Sequence, residues 1–276
     1  MESIRYTAAE TGFAGRLVEK DYFASIVLAH LAGQADHQLV FKGGTCLAKV
    51  HAGFYRLSED LDFAIGLEVS STRKQRRDRT GGLKSLLREL VKGTPALSTT
   101  EPLRGANESR QYMGVIGYES RLTREAQSIK FEASLREPFL SPVVTGAANT
   151  ILLDPISGRP RLQPIPLGCI SLAEAMAEKC RAALTRRDVA IRDFFDIDHI
   201  VRTRGFDLGD AAFVELVRSK LAVVGNPPAD VGDKRMQSLR EQLHANLQPV
   251  LRPADFDAFD LDRAIERVAA LIETLN

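Results

Sequence analysis

Phe41-Lys42-Gly43-Gly44-Thr45-Cys46-Leu47, followed a few residues on by Ser58-Glu59-Asp60-Leu61-Asp62-Phe63, is the stretch on which the fold turns. Leu39-Val40-Phe41 is short and β-prone, Lys42 to Thr45 is a glycine turn, and the chain continues at helical spacing through Leu47 and Val50. The order is strand, turn, helix. Leu61 to Ile65 then alternates as a second strand. Because successive strand side chains alternate, Asp60 and Asp62 project to one face while Leu61 and Phe63 project to the core.

Two carboxylates on one face repel, and the usual remedies are a cation, a shared proton or exposure at a strand end. Magnesium fits best, since carboxylate oxygens are hard ligands and the ion retains positions for waters and phosphates. Gly43 and Gly44 let the backbone approach a phosphate, and the helix start offers N–H groups and the Thr45 hydroxyl. A triphosphate and metal meeting there suit attack of a 3′-hydroxyl on the α-phosphorus with loss of pyrophosphate. Alone, a Gly-Gly-Thr is usually a turn and an Asp-x-Asp a solvated strand end. In this order they are what a DNA polymerase β-like nucleotidyltransferase core requires, so the expected fold class is α/β (α+β) with a mixed sheet.

Outward from this centre, Leu17, Phe23, Ile26, Val27 and Leu31 predict an amphipathic helix over residues 16–31 that covers the sheet. Residues 70–92 turn basic and then helical through Leu83, Leu86, Leu87, Leu90 and Val91, with Gly81-Gly82 as a hinge or helix start. Tyr112 to Tyr118 and Ile129 to Leu135 read as further strands, the second with Lys130, Glu132 and Ser134 on one face. Glu132 is a candidate third carboxylate or base for the acceptor hydroxyl; a simple cross-strand ion pair with Lys130 explains it equally well. Residues 138–166, rich in Pro and Gly, read as strands joined by turns and as the domain boundary. Beyond Cys169, Ser171 and Glu174 have capping-box spacing, and helical patterns run to Leu275. The expectation is a nucleotidyltransferase core over residues 1–166 and a helical C-terminal domain over 167–276 that completes the active-site cleft.

The run Phe41 to Leu47, with Arg56-Leu57-Ser58-Glu59-Asp60-Leu61-Asp62-Phe63, resembles the AbiEii/AbiGii toxin family of nucleotidyltransferases, which includes the MenT toxins. Glu19-Lys20-Asp21-Tyr22 is similar to that family's first helix. Lys179 and Arg192-Asp193-Phe194-Phe195-Asp196-Ile197 are similar to its lysine and Arg-Asp-x-x-Asp motifs. The resemblance covers residues 16 to 200 and implies a toxin of a type IV-like toxin–antitoxin pair. Such a toxin transfers a nucleoside monophosphate from an NTP, with magnesium, to an RNA acceptor, the tRNA 3′ end, and so blocks translation. It also implies a cognate antitoxin. Carried onto this chain, Gly44 and Thr45 hold triphosphate, Asp60 and Asp62 hold magnesium, and Lys179 and Asp196 belong to the second half of the site. Asp193 and Asp198 lie close enough in sequence to compete for the place of Asp196.

Ser58, two residues before Asp60, is placed to touch the phosphates, although most such serines cap or turn the chain. A phosphate on Ser58 would repel an incoming triphosphate. Residues 73–79 (Arg73, Lys74, Arg76, Arg77, Arg79) and 179–192 (Lys179, Arg181, Arg186, Arg187, Arg192) are basic runs. Such runs are usually solvated helix faces; beside a polymerase-like centre they are also candidates for RNA phosphate contacts. His30, His37, His51, His199 and His244 are scattered without a zinc pattern, and Cys46, Cys169 and Cys180 read as buried or half-buried free thiols.

The chain has 276 residues, 44% hydrophobic and 26% charged, with a net charge of +1. This excludes global disorder and gives no overall pull toward nucleic acid, so any such partner is attracted by local clusters. The first residues lack the order of a signal peptide, and no apolar run approaches the ~20 residues needed to cross a bilayer, so a cytoplasmic, non-membrane protein is expected. Two other classes use the same residues. A metal-dependent phosphodiesterase or nuclease would not need the Gly-Gly-Thr cradle, and a non-catalytic RNA- or protein-binding module would not need the carboxylates.

Overall fold

The chain forms two compact units, Met1–Ile170 and Ser171–Asn276, in a computed structural model that describes residues 1–33, 39–68, 70–223 and 225–275. His37 lies outside the described residues. In the first unit α1 (Glu2–Thr11) and α2 (Gly15–Ala32) precede β1 (Val40–Lys42), which breaks at Gly43 into the single turn α3 (Gly43–Cys46). The helix continues as a π-helical segment, Leu47–Ala52, closed where Gly53 N–H donates to the Ala48 carbonyl. There follow β2 (Asp60–Ala64), α4 (Arg73–Arg79), α5 (Gly81–Gly93), β3 (Leu97–Ala106), β4 (Gln111–Glu119) and β5 (Ala126–Ser134). β6 (Val144–Ala148) and β7 (Ile165–Cys169) complete the unit. α1, β3 and β7 add to the elements expected from the sequence.

The seven strands make one mixed sheet in the order β3-β4-β5-β2-β1-β7-β6. β2 lies at its centre, antiparallel to β1 and parallel to β5. The register sets Lys42 opposite Asp62, Asp60 opposite Lys130, Asp62 opposite Glu132, and Glu132 opposite Met113. Paired residues project to the same side, so these six share one face. Phe41, Leu61, Phe63, Tyr112 and Phe131 are buried on the other, in one core with Phe23, Val27, Leu28 and Leu31 of α2 and Leu83, Leu86 and Leu90 of α5. Burying each such side chain stabilises by ~1.5–3 kcal/mol. A one-residue slip of β2 would expose its apolar set and bury both acids, so the register that packs the core also presents the carboxylates.

The second unit is helical: α6 (Leu172–Thr185), α7 (Ile191–Arg204), α8 (Ala211–Leu221), α9 (Asp233–Gln242), α10 (Pro253–Asp257) and α11 (Leu261–Leu275). Ser171 caps α6 by accepting from the Glu174 N–H. Buried charge pairs fix the helices: Lys220 of α8 lies 2.8 Å from Glu174 of α6, both 1% exposed. Asp198 of α7 receives Arg202 from its own helix and Arg263 and Arg267 from α11. Among the described residues no helix is long and apolar enough to cross a membrane.

Candidate functional site

The glycine turn is shaped by what closes on it. Gly43 has φ +74°, and a Cβ there would lie 2.3 Å from Asp62 Oδ2 and 2.9 Å from Asp62 Cβ. A Cβ on Gly44 would lie 2.3 Å from an Arg56 guanidinium nitrogen and 3.5 Å from Ser58 Oγ. Asp62 therefore occupies the space of one missing side chain, and Arg56 with Ser58 the space of the next. Arg56 is buried, with its guanidinium 5.9 Å from the Tyr55 ring centroid. Thr45, also buried, donates its hydroxyl to the Asp60 carbonyl and so ties the start of α3 to the acidic strand. Gly43, Gly44, Thr45, Ser58, Asp60 and Asp62 thus form one locus.

On the adjoining sheet face Asp60, Asp62 and Glu132 are half-buried and Lys130 is exposed. Asp60 and Asp62 of β2 and Glu132 of β5 thus project from two neighbouring strands to one sheet face, partly open to solvent. The Glu19-Lys20-Asp21 stretch of α2 ties that helix to three other parts of the unit. Glu19 accepts from Ser120 Oγ and the Arg121 N–H, each at 2.6 Å. Lys20 reaches Glu59 at 3.1 Å, one residue before Asp60. Asp21 lies 2.7 Å from Lys49, whose ammonium also donates to Ser25 Oγ at 2.9 Å, which anchors the π-helical segment.

In the second unit Lys179 lies 2.8 Å from Asp193 Oδ1 and 2.8 Å from Asp196 Oδ2, and both acids are buried. Arg186 adds a contact to Asp193 at 3.1 Å. Burial, and after it Asp193, pushes the neighbouring Cys180 thiol up to about 12. Asp198 is engaged by three arginines instead. Lys179 therefore associates with Asp193 and Asp196 and not with Asp198.

Residues 26–272 match the family described as nucleotidyl transferase AbiEii toxin, type IV TA system. The chain belongs to the AbiEii family. It is a nucleotidyltransferase, and membership of a type IV toxin–antitoxin family implies an antitoxin partner. The fold is also that of MenT4, a nucleotidyltransferase toxin from Mycobacterium tuberculosis, with 19% identity, a TM-score of 0.58, and 99% of this chain and 98% of that one covered. JHP933 from Helicobacter pylori is similar at 16% identity and a TM-score of 0.56, covering 95% of this chain and 93% of that chain. No curated protein matches the chain by sequence.

Three features of this AbiEii chain were not read from its sequence. Arg56 reaches the turn only through the close approach at Gly44, which no local pattern encodes. Arg76, expected on an RNA-facing surface, is 6% exposed and donates to the Glu108 and Ser71 carbonyls, so it cross-links the fold; Arg73, Lys74, Arg77 and Arg79 are the exposed members of that run. Cys46, His51 and Cys169 bring their ligand atoms within 4.8 Å of one another. The Cys169 thiol is held down to about 5, chiefly by hydrogen bonding with Cys46, with burial opposing and His51 adding to the fall.

Proposed function

We propose that this chain transfers a nucleoside monophosphate from an NTP to the 3′ end of a tRNA, using magnesium held by Asp60 and Asp62, and so blocks translation in the cytoplasm. The observation that carries this reading is the closure of Asp62, Arg56 and Ser58 on Gly43-Gly44 beside Asp60 and Glu132. Magnesium at the two aspartates would supply charge neutralisation at the phosphoryl oxygens. Backbone N–H groups at the start of α3 take triphosphate oxygens, and the buried Arg56 guanidinium supplies a fixed positive charge at the same turn. Lys130, exposed beside Asp60, is placed to meet a phosphate or the approaching acceptor.

The 3′-hydroxyl oxygen of the acceptor forms a bond to the α-phosphorus as the bond to the leaving pyrophosphate breaks. Glu132, next to Asp62 in register, takes the hydroxyl proton. By the motif resemblance, Lys179 serves the acceptor side, with Asp196 orienting it at 2.8 Å and Asp193 sharing the load. The exposed basic residues Arg73, Lys74, Arg77 and Arg79 offer RNA phosphate contacts without base readout.

The test is incubation with total RNA, magnesium and each α-labelled NTP in turn, beside Asp60→Ala, Asp62→Ala and Lys179→Ala. Label is expected in RNA of tRNA size with the wild type, and in none with the two aspartate variants. Absence of label in RNA with every NTP refutes the RNA-transferase reading. RNA cleavage without pyrophosphate release replaces it with the nuclease reading.

A further inference from the structure

Cys46 ends α3, His51 lies in the π-helical segment and Cys169 ends β7, yet their three ligand atoms lie within 4.8 Å of one another. Two local features produce this meeting. Residues five apart diverge around an α-helix of about 3.6 residues per turn, but approach one face where backbone bonds run from i to i+5. Gly53 N–H to Ala48 carbonyl is such a bond, at 3.0 Å, and the segment that holds it carries His51 five residues after Cys46. The parallel pairing of β1 with β7, Phe41 opposite Cys169, then delivers the second thiol.

The surroundings are arranged for ligation. His51 Nε2 lies 2.9 Å from the Ile170 carbonyl. A carbonyl only accepts, so Nε2 carries the proton and Nδ1 keeps its lone pair, the tautomer and orientation that a metal-bound imidazole takes from a backbone carbonyl. Both thiols are wholly buried and His51 is half-buried. A Cβ on Gly146 would lie 2.6 Å from Val50 Cγ1 and 2.8 Å from Cys169 Sγ, so glycine lets β6 approach both that sulfur and the π-helical segment.

We infer that Cys46, His51 and Cys169 form a binding site for one zinc ion that clips the nucleotide turn to β7. Two thiolates and an imidazole are a borderline-soft set that takes zinc and rejects magnesium, and three protein ligands leave the fourth tetrahedral position to water. Binding releases the two thiol protons to solvent. Cys46 directly follows Gly43-Gly44-Thr45, so zinc holds the turn from its far end, independently of any metal at Asp60 and Asp62.

The experiment uses the full chain, stripped with a chelator, kept under a non-thiol reductant and excess Mg2+, and titrated with Co2+ as a spectroscopic probe. One equivalent is expected to give sulfur-to-cobalt absorption in the near ultraviolet and tetrahedral bands in the visible, both abolished by one equivalent of Zn2+. Cys169→Ser, near-isosteric, removes one of two thiolates and cuts the sulfur band by about half. Gly146→Ala crowds the sulfur and weakens zinc binding at least tenfold in competition with a chromogenic chelator. His51→Gln keeps both sulfurs and shifts the visible bands. A wild-type chain without the sulfur band, or the same band persisting in the Cys46→Ser/Cys169→Ser double variant, overturns the inference. So does formation of a Cys46–Cys169 disulfide in air by a chain that takes up no zinc under reductant.

Discussion

Gly43 and Gly53 share a φ of +74°, but Gly53 has open space where a Cβ would go and Gly43 has Asp62. Alanine at either position carries the left-handed backbone cost of roughly 1–2 kcal/mol. For a chain of this size that lowers the melting temperature by about 2–4 °C per kcal/mol. Only at Gly43 does the methyl group also fall 2.3 Å from Asp62 Oδ2 and 2.9 Å from Asp62 Cβ. The carboxylate can rotate away, but the Cβ moves only if β2 does, and the Phe63 and Leu61 packing resists that. Asp62 is then displaced by on the order of 1 Å, and a misplacement of that size costs about 10²-fold in rate. Urea unfolding and initial rates of NTP incorporation should be measured on both variants. Gly53→Ala is expected to lose stability and keep its rate, whereas Gly43→Ala loses at least as much stability and about 10²-fold in rate. Equal rates in the two variants refute the argument that Gly43 is there to admit Asp62.

Lys49→Met leaves Asp21 buried without its ammonium and is expected to cost ~3–5 kcal/mol in urea; an unchanged midpoint means that the pair does not hold the π-helical segment. Arg76→Gln should destabilise by ~1.5–3 kcal/mol through its lost charged hydrogen bonds and leave the salt dependence of RNA binding unchanged. Arg77→Gln should do the reverse, flattening the salt slope by about 0.7–0.9; the opposite assignment of effects counts against the positions given to these two side chains. The His199 ring is held below its ordinary 6.5 by burial first and Arg202 second. The folded state therefore binds fewer protons there than the unfolded chain, so stability is full above 6.5 and falls as the pH drops from 6.5 toward the folded value. His199→Gln should flatten that acid limb in urea melts, and identical slopes with and without the ring dispose of this assignment.

The centre of the first unit was legible because two periodicities meet there. Alternation around Leu61 and Phe63 marks β2, and the glycines after Phe41 mark the end of β1. β3 escaped because it lies at the edge of the sheet, buries only Leu97 and Leu103 and is interrupted by irregularities around Glu101, so it shows no alternation. β7 was absorbed into a turn-rich stretch by Pro166 and Gly168. α1 buries Ser3, Ile4 and Thr7, a face too polar to register as an apolar stripe. Among site residues, Arg76 shows how a basic run conceals position: one member faces inward while its neighbours face solvent, and charge alone does not distinguish them. The acids near Lys179 separate only in three dimensions, where Asp198 turns to the arginines of α11.

The strand order also sets a timetable. β2 finds its parallel partner only when β5 exists, and β1 pairs with β7, whose Cys169 is made long after Phe41. At roughly 5–20 residues per second of synthesis, β1 waits on the order of ten seconds for that partner. Until Ala126–Ser134 is made, the growing chain carries both aspartates but not β5, the parallel partner that sets Glu132 beside Asp62. Long-range pairing thus delays assembly of the carboxylate face and of the sheet behind it until β5 and β7 have both been made.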